Sequence, residues 1–118
     1  MRFEALPCYH TELHTFPLAG ETVGIVGCVV GAPFAVLIAE ELFACGCRLL
    51  LSVTSAGQIA PSAPPPYFVI IDRALRDEGT SYHYLPSMPY VRIPQDVLAI
   101  AQCILNGIPR VVQGGVWT

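Results

Sequence analysis

The chain has 118 residues, the size of one domain, and 53% of them are apolar, enough to fill a core. Only 13% are charged, the formal net charge is -3 and no basic run occurs, which argues against a nucleic-acid partner. All six basic residues are arginines, so a Schiff-base lysine, a lysine general base and the phosphate-cradling lysine of a P-loop are excluded.

The first twenty residues show no clear period and read as an irregular lead-in with room for one short strand. Thr22-Val23-Gly24-Ile25-Val26-Gly27 is a short apolar run between glycines, the pattern of a fully buried strand in a parallel sheet. A turn, Gly27-Cys28-Val29-Val30-Gly31-Ala32-Pro33, leads into a helix over residues 33–45, with Pro33 in its first turn and Gly46 as its stop. Arg48-Leu49-Leu50-Leu51-Ser52-Val53 reads as a second buried strand, completing a βαβ unit that ends in the small polar turn Thr54-Ser55-Ala56-Gly57. The proline-rich stretch 61–66 is a stiff, extended connector. A third buried strand follows over residues 67–74, then a polar loop, a second helix over 94–106 and a fourth strand over 108–113.

No apolar stretch reaches the roughly 18 residues that cross a bilayer, and Met1-Arg2-Phe3-Glu4 lacks a signal-peptide pattern. A cytoplasmic protein without a membrane partner is expected. Five cysteines form no CxxC pair, and Cys45-Gly46-Cys47 is too tight for a zinc knuckle. They read as buried free thiols, and no metal site is expected.

Polar chemistry concentrates in Arg76-Asp77-Glu78-Gly79-Thr80-Ser81-Tyr82-His83-Tyr84-Leu85-Pro86. A polar loop just past a strand is where α/β folds build ligand sites. A solvated loop whose hydroxyls cap their own turns is the other reading. His83 can serve as a general acid or base, or as a donor that fixes the loop. Asp77 and Glu78 can orient a sugar hydroxyl, or pair with Arg73 or Arg76. A triad of Ser81, His83 and Asp77 is conceivable, but the G-x-S-x-G elbow is absent. The Gly27–Pro33 turn suits an anion at a helix start, and equally suits close strand-helix packing. The hydroxyls of Thr54 and Ser55 can hold phosphate, or simply end a strand. With parallel strands, all three turns gather at one edge of the sheet.

In order and spacing these segments resemble the nucleoside phosphorylases of the purine nucleoside and uridine phosphorylase type. The glycine turn before a helix with Glu40-Glu41, the Ser52–Gly57 turn, the residue 76–86 loop and Gly115-Val116-Trp117-Thr118 carry the resemblance, from about residue 18 onward. It implies one partial domain, residues 1–118, of a three-layer α/β fold around a mixed central sheet. It implies phosphorolysis of a nucleoside to free base and ribose 1-phosphate, with inorganic phosphate as co-substrate and no other cofactor, in a homo-oligomer. By the same resemblance Gly27, Gly31, Thr54 and Ser55 would bind phosphate. Val29, Ala56, Gly57, Arg76, Asp77, Thr80, Ser81, Tyr82 and His83 would line the nucleoside.

Departures accompany the match. Ser52 stands where the family often has a phosphate-binding arginine, and Thr54 where glycine is usual. The chain stops before the family's Met-Glu ribose clamp and its base-protonating acid, so a truncated domain with little activity of its own is expected, and no catalytic group is assigned. A non-catalytic interaction module that kept the fold is the alternative.

Overall fold

The computed structural model describes the backbone of Arg2–Glu4 and residues 11–117. The chain divides into two compact units, Met1–Val53 and Thr54–Thr118. Each has its own three-stranded sheet and one long helix.

In the first unit, β1 (Arg2–Glu4), β2 (Leu13–Leu18) and β3 (Glu21–Val26) form an antiparallel sheet in the order β1-β2-β3. The lead-in therefore holds two strands, not one. The hairpin between β2 and β3 turns on Ala19 and Gly20, both at positive φ (50° and 86°), with Leu18 opposite Glu21. Two-residue turns of that handedness match strand twist, but Ala at the first place gives a weaker signal than Asn or Asp. Strand β3 lies at the sheet edge and is antiparallel, with only Val23 and Val26 half-buried. The expected fully buried parallel strand is thus corrected.

Helix α1 (Ala32–Ala44) begins after Gly31, whose φ of 89° few other residues adopt cheaply, and carries Pro33 in its first turn. Its end is a Schellman motif: Gly46 N–H donates to the Phe43 carbonyl at 3.0 Å and Cys47 N–H to that of Leu42 at 2.9 Å. Ile38 is buried against Leu13, Val26, Val29, Phe34 and Leu42, so the helix and its sheet share one small core.

No strand forms directly after α1. Residues 47–57 have no regular structure, and Leu49, Leu51 and Val53 are exposed. The expected second strand, and with it the βαβ unit, is absent. An apolar run is compatible with a strand, but a strand exists only where a partner supplies the other half of each hydrogen bond.

In the second unit, β4 (Phe68–Leu75) is central, flanked by β5 (Tyr90–Arg92) antiparallel and β6 (Val111–Trp117) parallel. This sheet is mixed, as expected. A register shift between Ile71 and Arg73 leaves Asp72 as the extra residue of a bulge. Strand β6 begins three residues later than expected and takes in the Gly114-Gly115-Val116-Trp117 segment. Gly115 lies opposite Arg73, whose side chain fills the place where a Cβ would project.

Helix α2 (Gln95–Leu105) starts at Pro94 and packs on β4, burying Leu98. Gln102 on α2 donates to Gln113 on β6 at 2.6 Å, and Gln113 donates to the Asp72 carboxylate at 2.7 Å. The bulged aspartate therefore ties helix and sheet together.

Among the described residues, Ile38 and Leu98 are the apolar side chains that reach full burial. The cysteines also differ from expectation: Cys28, Cys45 and Cys103 are exposed and Cys47 is half-buried. Small units of one helix on three strands have too little interior to bury them.

Candidate functional site

The polar loop after β4 is held by side-chain hydrogen bonds that centre on Arg76 and Ser81. Arg76, the first residue past the strand, is 4% exposed, the one buried charged side chain among the described residues. A guanidinium taken from water needs every donor engaged. Its Nε donates to Ser81 Oγ at 2.8 Å, Nη2 to the Leu85 carbonyl at 3.2 Å, and Nη1 to the carbonyls of Pro86 and, at 3.3 Å, Met88. The guanidinium also stacks on Tyr82, 4.2 Å from the ring centroid, and the Tyr82 hydroxyl donates back to the Arg76 carbonyl at 3.0 Å.

Residues Thr80–His83 make one 3-10 turn, entered through Gly79 at φ 82°. Glu78 caps this turn from below. One carboxylate oxygen accepts from the Ser81 N–H at 2.9 Å and the other from the Ser81 hydroxyl. The hydroxyl bond, and then the backbone bonds to the turn, hold the Glu78 carboxyl below its ordinary value of 4.5. Glu78 thus pairs with a serine, and Arg73 pairs with Asp72 at 3.2 Å. Asp77 accepts from the Trp117 indole N–H at 3.0 Å, which links the loop to the end of β6. The arginine partners considered for Asp77 and Glu78 are not the ones they make.

The candidate residues of this loop fall into two groups. Arg76 and Ser81 face inward and serve the loop's own structure. Asp77, Tyr82 and His83 are exposed, and Thr80 is half-buried. Ser81 donates to Glu78, not to His83, so the conceivable triad of Ser81, His83 and Asp77 is not assembled.

The other two turns differ in kind. Gly27–Gly31 follows β3 and opens α1 in the first unit, with Cys28 at φ 59° and Gly31 at φ 89°. No side chain caps the helix start, and Val29 packs towards Ile38, so it belongs to the local core. Thr54, Ser55, Ala56 and Gly57 are exposed and follow no strand; Thr54 Oγ1 donates to the Ser55 carbonyl at 3.4 Å. The expectation that all three turns end strands of one sheet is therefore corrected: β3 and β4 belong to different sheets, and the middle turn has no strand before it.

The signal for the inward arginine was present in the sequence as a charge flanked by Ala74-Leu75 and the loop, but nothing local says that carbonyls ten residues later will meet it. Trp117 was legible only as part of a motif, and its bond to Asp77 spans 40 positions.

Among the described residues no group of three His, Cys, Asp or Glu could hold a metal ion, and no helix is long and apolar enough to cross a membrane. Compared with known protein families, the chain matches the sequence model described as the phosphorylase superfamily over residues 2–118. No curated protein and no solved structure gives a match.

Proposed function

The chain belongs to the phosphorylase superfamily, and on that premise we propose that it contributes phosphate- and nucleoside-binding elements for phosphorolysis of a nucleoside to free base and ribose 1-phosphate. The family match over residues 2–118 carries this reading. The ordered polar loop supports it, because the rest of the second unit is largely apolar.

Phosphorolysis must place phosphate beneath the anomeric carbon and steady an oxocarbenium-like sugar while the base departs. On this reading Ser55 holds phosphate through its hydroxyl and amide, and Thr54 and the backbone of Gly27 and Gly31 have the same role. Ala56 and Gly57 flank the base, Val29 meets the ribose, and Asp77, Thr80, Tyr82 and His83 offer the loop's outward polar groups. Inorganic phosphate is the co-substrate and no other cofactor is needed. The protein works as a homo-oligomer. Turnover by the isolated chain is weak or absent, because the segment meant to hold phosphate is exposed and Ser52 supplies no guanidinium.

The test is phosphate-dependent release of base from inosine, adenosine or uridine, beside calorimetric titration of each nucleoside and of phosphate. Binding that Ser55→Ala weakens about tenfold, roughly the worth of one hydrogen bond to a charged group, supports the reading. Absence of both nucleoside and phosphate binding overturns it.

One observation favours a second reading, a non-catalytic interaction module. Leu49, Leu51, Val53 and Ile59 are 72%, 76%, 89% and 76% exposed, an apolar stretch suited to a protein partner. A chain that forms a concentration-independent oligomer yet takes up no nucleoside would support this module.

A further inference from the structure

We infer that Arg76 is a positioning residue that holds the loop of residues 77–88 as a preformed wall, rather than a ligand contact or the anchor of a closing lid. Four observations converge. The side chain is 4% exposed and so offers a ligand almost no surface. Its two terminal nitrogens reach the carbonyls of Leu85, Pro86 and Met88, nine to twelve positions along the chain, and fasten the far side of the loop to the strand end. The backbone closes the same ring, since Arg76 N–H donates to the Pro89 carbonyl at 2.9 Å. Finally, Ser81 Oγ accepts from Arg76 and donates to Glu78, so the guanidinium also steadies the 3-10 turn that presents Thr80, Tyr82 and His83.

A flexible lid needs backbone groups satisfied by water while open. Here the carbonyls at 85, 86 and 88 are already taken by a planar fork that few other side chains imitate. Lysine keeps the charge but offers one point of attachment, without the stacked plane. The consequence for function, which rests on the nucleoside reading above, is that the loop's outward groups are placed before a ligand arrives.

Hydrogen exchange of the ligand-free chain, wild type beside Arg76→Lys and Ser81→Ala, is the experiment, followed by titration with inosine, uridine and inorganic phosphate. In the wild type the amides of Arg76, Ser81, Tyr84 and Leu85 exchange slowly and ligand leaves them unchanged. In Arg76→Lys they exchange about tenfold faster or more, while the amides of Ala35 in α1 and Leu98 in α2 stay within about twofold. Ser81→Ala gives a smaller change in the same direction and leaves the carbonyls at 85–88 held. Affinity falls in Arg76→Lys in step with the lost protection, and saturating ligand restores that protection. A loop that exchanges in the wild type as fast as residues 54–57, or an Arg76→Lys loop as protected as wild type, overturns the inference. Lost affinity with unchanged exchange also overturns it, in favour of direct contact. If Arg76→Lys opens α1 and α2 as well, Ser81→Ala decides. If the wild type binds no ligand, the nucleoside reading fails, and the ligand-free exchange still decides whether Arg76 braces the loop.

Discussion

Arg76 and Glu78 sit two residues apart and meet the same hydroxyl, that of Ser81, from opposite sides. The arginine donates to it and the glutamate accepts from it, so one serine joins two opposite charges without an ion pair between them. Glu78 accepts at both oxygens at once as a carboxylate, and these bonds favour the charged form. A carboxyl lowered in the folded state stabilises the turn above the unfolded value of 4.5, and that contribution fades as pH falls through the lower folded value. The Ser81 amide signal should therefore titrate with its midpoint below 4.5, and Glu78→Gln should abolish that acid transition. Gly79 gives a second residue-scale prediction. A Cβ there meets no atom within 4 Å, but φ is 82°. Gly79→Ala should cost about 1–2 kcal/mol from backbone strain alone, read as a lowered denaturation midpoint with the apolar contacts intact.

Each long helix stands on one buried side chain. Ile38 holds α1 to its sheet and Leu98 holds α2 to its own. Ile38→Ala should lose about 2–5 kcal/mol, the usual cost of emptying a core site, and a chain with so small an interior has little to redistribute. Two glycines in strands separate tight packing from loose packing. A Cβ on Gly24 would lie 2.8 Å from Leu13 Cδ1, and Leu13 is itself pressed against Ile38. A Cβ on Gly115 would lie 3.1 Å from Arg73 Nε and 3.2 Å from its Cγ, a milder approach on a side chain that is 42% exposed. Gly24→Ala should therefore cost about 1–3 kcal/mol of overpacking, and Gly115→Ala less, as measured by thermal unfolding of the two variants side by side. The helices were legible within a residue or two, because Gly31, Pro33 and Gly46, and Pro94 and Gly107, mark their ends locally. The strand expected at Arg48–Val53 was not, because composition shows that a segment suits a sheet and says nothing of whether a neighbour is there.

At the scale of the molecule, apolar surface outruns what the two units bury. On α2, Val97, Ile100 and Ile104 are 43%, 60% and 69% exposed, and they recur at a helical spacing on one side. Such a stripe is expected to draw molecules together. Sizing at rising concentration should show growing apparent mass, and Ile100→Glu should reduce it without disturbing Leu98. The expected gathering of three turns at one sheet edge failed for a reason on this scale. It assumed one continuous parallel sheet, whereas hairpin pairing through Ala19 and Gly20 commits β3 to β2, and β4 pairs with β5 and β6.

By itself the sequence determined the family, the mixed α/β class, both helices and the place where polar chemistry collects. These follow from local signals: glycines and prolines at element ends, periodic apolar faces, and one dense polar run beside an apolar strand. Only the tertiary structure decided which apolar runs are strands, which direction they pair, and that Arg76 faces inward. Those outcomes depend on partners distant in the chain. A backbone carbonyl at residue 86 carries no mark in the sequence of the guanidinium it will meet, and burial of that charge, more than its presence, turns a polar loop from a set of candidate ligand groups into a braced wall.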